Sequence, residues 1–332
     1  MSRPLIVVLT TNMNCNWSCN YCYGDYPSHG TEKNLTTEQM LKLIDDLAEM
    51  GCVYAITHGG EALLRKDIGY VIDYMKLKGL YVSFITNGQL FPAKIEELRN
   101  VDNLTISLDG RKENNDRNRG AGTYDMALAA IRLAVKEGFK VKISSTITRH
   151  SAADIGYMAE LGKELKVPVT FSILYRTDSS KEDPLSLPPN EIRKALGEII
   201  ALKRQGYPLF TSYGNLEYAL RWPYEKFNKL YLLENQVPGD FKKLNCSYGR
   251  FGFHIEGDGR VMPCTPQASN GFEGKDVREV GTRAAFAHAS ATNKCVACPF
   301  LTQNDYNLLM DLNPREIAYL AVEQLRELTR WF

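Results

Sequence analysis

Cys15-Asn16-Trp17-Ser18-Cys19-Asn20-Tyr21-Cys22 sets three thiols at CxxxCxxC spacing. Three thiolates so spaced can hold three irons of a cubane iron-sulfur cluster, and without a fourth cysteine nearby one iron stays open for a ligand. An incomplete cage of this kind points to chemistry. A structural zinc site closes its shell with four protein ligands, usually as paired CxxC or CxxC with HxxxH knuckles, and neither pattern surrounds this run. Zinc and uncoordinated thiols remain open on spacing alone.

The run follows an apolar stretch, Leu5–Thr10, the first of six short β-branched segments between residue 5 and about 205. The others are Val53–Thr57, Tyr81–Thr86, Leu104–Leu108, Val141–Thr148 and Val169–Tyr175, separated by amphipathic segments such as Thr37–Met50 and Tyr124–Glu137. Strands alternating with helical patterns of this length predict βα units around a parallel sheet, an α/β partial (β/α)6 barrel of the TIM type. In such barrels the working groups sit on loops after the carboxyl ends of the strands, where the cysteine run falls.

These residues resemble the radical S-adenosylmethionine (SAM) enzymes, which carry CxxxCxΦC with an aromatic before the third cysteine, here Tyr21. The resemblance implies a [4Fe-4S] cluster on Cys15, Cys19 and Cys22, with SAM on the open iron, reductive cleavage to a 5'-deoxyadenosyl radical, and a flavodoxin- or ferredoxin-type electron donor. The protein's share is then placement and electronics. After the second strand, Gly59-Gly60-Glu61 is similar to the family's GGE motif, which cradles the SAM amino group, with Ala62 where proline is common. Adjacent glycines admit a ligand close to the backbone and a carboxylate receives an ammonium group; read alone, the triplet is also an ordinary βα turn. Thr86-Asn87-Gly88 is similar to the TNG strand ending of relatives and otherwise reads as a turn. Ser107-Leu108-Asp109-Gly110 with Asn115 to Gly120 looks like the SLDG stretch of the branch with extra clusters. By that likeness Ser107 and Arg119 contact the SAM carboxylate or ribose, groups that a hydroxyl and a guanidinium suit; the alternative is a capped turn with solvated arginines. Ser144, by position in strand five, resembles a polar residue directed at SAM, or is a buried serine satisfied by backbone.

A second cysteine group follows the barrel. Cys246 and Cys264 flank Gly257-Asp258-Gly259, which reads as a hairpin with a DG turn, and Cys295-Val296-Ala297-Cys298 adds a chelating pair. Four thiolates close a coordination shell, of iron-sulfur or of zinc. The first pair matches the C-x(9–15)-G-x(4)-C hairpin of the SPASM and twitch radical SAM enzymes. Only four cysteines follow the barrel, so the resemblance implies the shorter twitch arrangement with one auxiliary [4Fe-4S] cluster on Cys246, Cys264, Cys295 and Cys298.

With 40 basic against 39 acidic residues the net charge is +1, which gives no electrostatic case for nucleic acid. The apolar run at Leu5–Leu9 is too short for a signal segment or a membrane span, and clustered cysteines fit a reducing compartment, so a cytoplasmic protein is expected. The expected division is residues 1–205 barrel, 206–240 an aromatic-rich bridge, and 241–332 the auxiliary-cluster region with a C-terminal helix. Asn190 is expected to cap a helix reaching Arg204, and the bridge's Tyr207, Phe210, Tyr213, Tyr218, Trp222, Tyr224, Phe227 and Tyr231 to pack a helix or line a ring-stacking pocket. Apolar positions Ile317, Leu320, Ala321, Leu325 and Leu328 predict a tail helix packed on the barrel. Cys52 reads as a buried inert thiol, leaving no spare hydrogen donor for epimerisation. His58, His254, Tyr175 and Arg176 are candidate substrate contacts, the histidines alternatively structural.

The expected reaction is hydrogen abstraction from an unactivated C–H bond of a small molecule, with loss of an electron to the auxiliary cluster. No winged-helix peptide-recognition segment precedes strand one, which favours a small metabolite. The alternatives are radical addition or C–C or C–S bond formation on a hydrophobic or peptide substrate, and, from another class, a non-catalytic zinc scaffold.

Overall fold

The computed structural model describes residues 3–24, 26, 33–174, 183–224, 231–269, 271–312, 314, 317–318 and 322. Alternating strands and helices run β1 (Ile6–Thr10), α1 (Thr37–Glu49), β2 (Tyr54–His58), α2 (Ile68–Leu77), β3 (Tyr81–Thr86), β4 (Asn103–Ser107), α3 (Lys112–Arg119), α4 (Thr123–Lys136), β5 (Val141–Ile147), α5 (Ile155–Leu165) and β6 (Val169–Ile173). Then come α6 (Pro189–Arg204), α7 (Tyr213–Leu220), β7 (Leu232–Leu233), β8 (Gly252–Ile255), β9 (Arg260–Met262), α8 (Thr265–Ser269), β10 (Lys275–Asp276), α9 (Val277–Val280), α10 (Thr282–Thr292), β11 (Cys295–Ala297) and α11 (Leu301–Met310). The six expected strands are all present, Tyr81–Thr86 as expected at both ends and no end elsewhere shifted by more than two residues.

Strands β1 to β6 lie side by side in sequence order and in parallel. Period-two alternation decides which side chains meet the helices. Val7, Leu9, Ala55 and Val82 pack under Met40, Leu43, Ile44 and Leu47 of α1, while Leu104, Ile106, Val141 and Ile143 pack with Ala127, Ala130, Ile131 and Ala134 of α4. The opposite face carries Thr10, His58, Ser107, Lys142, Ser144 and Thr146. Helix α1 begins in a capping box, Thr36 accepting from the Gln39 N–H and the Gln39 side chain from the Thr36 N–H, which ends the cysteine loop where the helix starts.

The C-terminal hairpin extends this sheet. Strand β8 pairs in parallel with β1, Val8 opposite His254, and β9 and β10 follow antiparallel, giving nine strands in the order β10-β9-β8-β1-β2-β3-β4-β5-β6. The DG turn is there, with Gly259 at φ +82°, a backbone that glycine adopts without penalty. Phe253 and Ile255 turn outward onto Phe286 of α10, and His254 turns to the same side as Val8.

Two expectations change, and one open alternative is decided. Asn190 does not cap α6: the helix starts at Pro189 behind Pro188, because proline's fixed φ suits the first turn. The aromatic bridge is packing: Trp222, Tyr218 and Tyr224 are buried, and Trp222 stacks edge-on against Phe241 at 5.5 Å. In the tail Ile317 is 41% exposed, so it does not pack on the barrel. Tyr175, Arg176, Phe227, Leu320, Ala321, Leu325 and Leu328 lie outside the described residues.

Candidate active site

The cysteine loop leaves β1 and is stitched to three neighbouring loops. The Gly60 N–H donates to Asn12 O (2.9 Å) and the Glu61 N–H to Asn14 O (2.8 Å). A Cβ on Gly59 would lie 2.4 Å from Asn12 O, and one on Gly60 2.4 Å from Asn14 O. The glycines are therefore required by the passing backbone of the cysteine loop. Glu61 is buried, and its carboxylate accepts from the Leu63 N–H (2.9 Å), the Thr86 hydroxyl (2.9 Å) and the Asn87 N–H (2.8 Å). It draws the GGE and TNG loops together. Asn87 Nδ2 then donates to Asn16 Oδ1 (2.8 Å), and Gln89 Oε1 accepts from Trp17 Nε1 (2.6 Å) and Asn16 Nδ2 (2.7 Å). On the other flank the Asn20 N–H reaches Asn118 O at the end of α3 (2.9 Å).

Cys15, Cys19 and Cys22 are all partly exposed and act electrostatically on one another. Burial pushes the Cys15 thiol up to about 11, partly opposed by the Trp17 N–H donating to its sulfur. Burial also raises Cys19, with the Arg119 charge opposing. Thiols of this kind ionise when a cationic metal takes the charge. Among the described residues no three Cys, His, Asp or Glu side chains converge as one metal ion would require. A cubane takes one cysteine thiolate on each iron, and three mutually interacting thiols on one loop fit it.

Ser107 and Ser144 are register partners on β4 and β5, partly exposed on the face turned away from the helices. Arg119 spends two of its five N–H donors on Asp109, Nε to Oδ2 at 2.9 Å and Nη2 to Oδ1 at 2.8 Å. Asp109 also takes the Tyr21 hydroxyl at 2.6 Å. Sequence reading quoted Asp109 within its motif without assigning it a task; the signal was a carboxylate directly after an apolar strand.

The four later cysteines gather at the opposite, amino-terminal end of β8. Cys246 precedes that strand and Cys264 follows its antiparallel partner, and all four act electrostatically on one another. Burial raises Cys246, Cys264 and Cys298, and takes Cys295 to about 12. Asn307 Oδ1 accepts from the Ser247 N–H (2.8 Å) and hydroxyl (2.7 Å), fixing the backbone beside Cys246, and Asn304 Nδ2 donates to Cys298 O (2.9 Å). Neither asparagine was visible as a site residue in the sequence.

Between the two ends His58 and His254 meet edge to face, ring centres 5.5 Å apart. His254 Nε2 is 3.0 Å from Glu256 Oε1, and Nδ1 3.0 Å from Thr265 Oγ1. Burial and the neighbouring His254 lower His58 to about 4. Burial alone would raise Glu256, yet the His254 charge and hydrogen bond hold it down to about 2.

A parallel partial barrel with an incomplete thiol cage after its first strand defines a class, the iron-sulfur proteins that hold a ligand on an open iron. Residues 10–161 match the Radical SAM superfamily. That superfamily uses a [4Fe-4S] cluster and SAM. The chain is 32% identical over 213 residues to the Fe-coproporphyrin III synthase of Methanosarcina barkeri, covering 61% of this chain and 53% of that protein. It is 33% identical over 166 residues to the mycofactocin maturase MftC of Mycobacterium tuberculosis, covering 48% and 42%. The chain thus spans about half the length of the curated relatives it matches. Streptococcus suis SuiB bound to precursor peptide SuiA shares the fold at TM-score 0.68 and 16% identity, covering 89% of this chain and 70% of that one. The anSMEcpe enzyme with bound AdoMet does so at TM-score 0.64 and 16% identity, covering 95% and 98%. Among the described residues no helix is long and apolar enough to cross a membrane.

Proposed function

We propose that this radical SAM enzyme carries out a two-electron oxidation of a small organic substrate held inside the barrel. When bound, SAM and the two clusters supply the chemistry: a 5'-deoxyadenosyl radical for removing hydrogen from a C–H bond, and an acceptor for the electron left behind. Cys15, Cys19 and Cys22 hold the first cluster. Gly59, Gly60, Glu61, Ser107, Arg119 and Ser144 form the SAM cradle, in which Glu61 acts by fixing the loop backbone and the paired serines offer hydroxyls on the inner face. Cys246, Cys264, Cys295 and Cys298, in a twitch-like region over residues 241–332, hold the auxiliary cluster. A flavodoxin- or ferredoxin-type protein supplies the electron.

One observation carries this reading: the two thiol groups hang from opposite ends of one sheet, joined by the β1–β8 pairing. A substrate on the inner face therefore lies between the site that starts the radical and the site that takes its electron. The test is anaerobic reconstitution with iron and sulfide analysis, followed by reduction with SAM. About eight irons per chain and release of 5'-deoxyadenosine are expected, falling to about four irons when Cys246 and Cys264 are replaced by alanine. A colourless zinc protein that leaves SAM intact sinks the proposal in favour of a scaffold. A second reading, bond formation on a peptide, is favoured by 22% identity over 300 residues to the PqqA peptide cyclase of Rhizobium meliloti, and a cross-linked product would establish it.

A further inference from the structure

Asp109 stands at the end of β4, 1% exposed, and both its oxygens are fully used. Oδ2 accepts from the Tyr21 hydroxyl (2.6 Å), Arg119 Nε (2.9 Å) and Asn118 Nδ2 (3.2 Å); Oδ1 accepts from Arg119 Nη2 (2.8 Å) and the Thr146 N–H (2.9 Å). Arg119 is 8% exposed and its guanidinium lies 5.5 Å from the Tyr21 ring centre. A buried ion pair is a costly way to brace a loop, since desolvation of both charges offsets their attraction and apolar side chains of similar volume often serve as well. What sets this pair apart is its place. Tyr21 lies between Cys19 and Cys22, so the residue that bonds Asp109 at 2.6 Å and faces Arg119 at 5.5 Å has one thiol two residues before it and another directly after it.

We infer that Asp109 and Arg119 set the electrostatic potential at the three-cysteine cluster and so the ease with which it accepts its electron, with the Tyr21 hydroxyl fixing the carboxylate's orientation. Reduction adds one negative charge beside the buried pair, where a nearby fixed charge is attenuated less than it would be in bulk water. Arg119 favours that electron and Asp109 opposes it. The pair holds the two effects in balance, and removing either charge unbalances it in a known direction. Asp109 and Tyr21 are positioning residues here, Arg119 has this role beside its place in the proposed SAM cradle, and the thiolates remain the ligands. This inference rests on the proposed [4Fe-4S] cluster at Cys15, Cys19 and Cys22.

The test is a dye-mediated redox titration of the anaerobically reconstituted full chain, following the electron paramagnetic resonance signal that changes when SAM is added. At a fixed solution potential, Arg119→Met is expected to lower the reduced-to-oxidised ratio about tenfold and Asp109→Asn to raise it about tenfold, each decade being 59 mV for a one-electron couple. Arg119→Lys keeps the charge and restores the ratio to within about threefold of wild type, and Tyr21→Phe does the same because the ion pair persists. Opposite shifts support the inference. Shifts of the same sign, or none, overturn it, because a purely structural brace has no reason to respond with the sign of the charge removed. Should Arg119→Met fail to load a cluster, the sign of the Asp109→Asn shift decides alone. A wild-type chain with no SAM-sensitive signal overturns the proposed cluster, and this inference with it; a wild-type signal with unmoved variants overturns this inference only.

Discussion

Gly60→Ala isolates the contact between the GGE loop and the cysteine loop. The new Cβ would stand 2.4 Å from Asn14 O, 2.6 Å from its carbonyl carbon and 2.7 Å from Tyr26 Cβ. Carbon contacts relax near about 3.5 Å, so the cysteine loop must retreat by roughly 1 Å. Two of the three neighbouring atoms belong to backbone, which cannot rotate away. The retreat stretches both backbone hydrogen bonds, Gly60 N–H to Asn12 O and Glu61 N–H to Asn14 O, at about 1 kcal/mol each. Overpacking adds about 1–3 kcal/mol, for a total of about 3–5 kcal/mol. For a chain of this size that corresponds to a loss of about 6 °C in Tm. Anaerobic scanning calorimetry, with iron content measured on the same sample, is expected to show that loss together with depleted iron at the three-cysteine site. Gly197→Ala on α6, where an added Cβ meets nothing within 4 Å, serves as the comparison and is expected to gain up to about 1 kcal/mol. A Gly60→Ala protein with wild-type Tm and iron would refute the reasoning, leaving the glycines to be explained by ligand approach alone.

Cys52 is 5% exposed with its thiol raised to about 12 by burial, so Cys52→Ala is expected to keep full iron content and SAM cleavage. Loss of either in that variant would give the thiol a functional role. Asn307→Ala strips the Ser247 N–H and hydroxyl of their acceptor in a site 2% exposed, at about 2–3 kcal/mol, and should speed iron loss to a chelator from the second site while sparing the first. Equal loss from both sites would contradict it. His58 falls from 6.5 to about 4 and Glu256 from 4.5 to about 2 on folding, so the unfolded chain binds their protons first as pH drops. The His58 contribution, about 3 kcal/mol, is present above about pH 6.5 and lost as pH falls to about 4, and that of Glu256 is present above about pH 4.5 and lost toward about pH 2. Urea titrations of His58→Gln should show a shallower decline between pH 6.5 and 4; an unchanged slope would sink the assignment.

Local patterns were readable in the sequence because their causes are local. The β-branched runs located all six barrel strands, and CxxxCxxC carried its meaning in its own spacing. The capping of α6 failed for a local reason as well, because the two prolines before Asn190 offer a better helix start than an asparagine side chain. Roles defined by distant partners were not readable. Gly59 and Gly60 read as a ligand cradle, but nothing nearby in the sequence shows that the Asn12 and Asn14 carbonyls also lie against them, or that Thr86 and Asn87 donate to the oxygens of Glu61. His58 and His254 are separated by 196 positions, and nothing in either neighbourhood announces that their rings touch. Asp109 gathers Tyr21 from 88 residues before it and Thr146 from 37 after it.

The β1–β8 pairing is the consequence of those distant contacts that bears most on function. A parallel neighbour must run in the same direction as β1, so β8 has to enter the sheet at the barrel's amino-terminal end and leave at its carboxyl-terminal end. Cys246, just before β8, and Cys264, just after the returning β9, are thereby fixed at the end opposite Cys15, Cys19 and Cys22. Four residues of strand span about 13 Å. The inner face over that length carries Val8 and His254 side by side and, at the edge nearer Cys15, Cys19 and Cys22, Thr10 and His58. An antiparallel β8 would have put both cysteine groups at the same end, and no substrate on the inner face could then have lain between them.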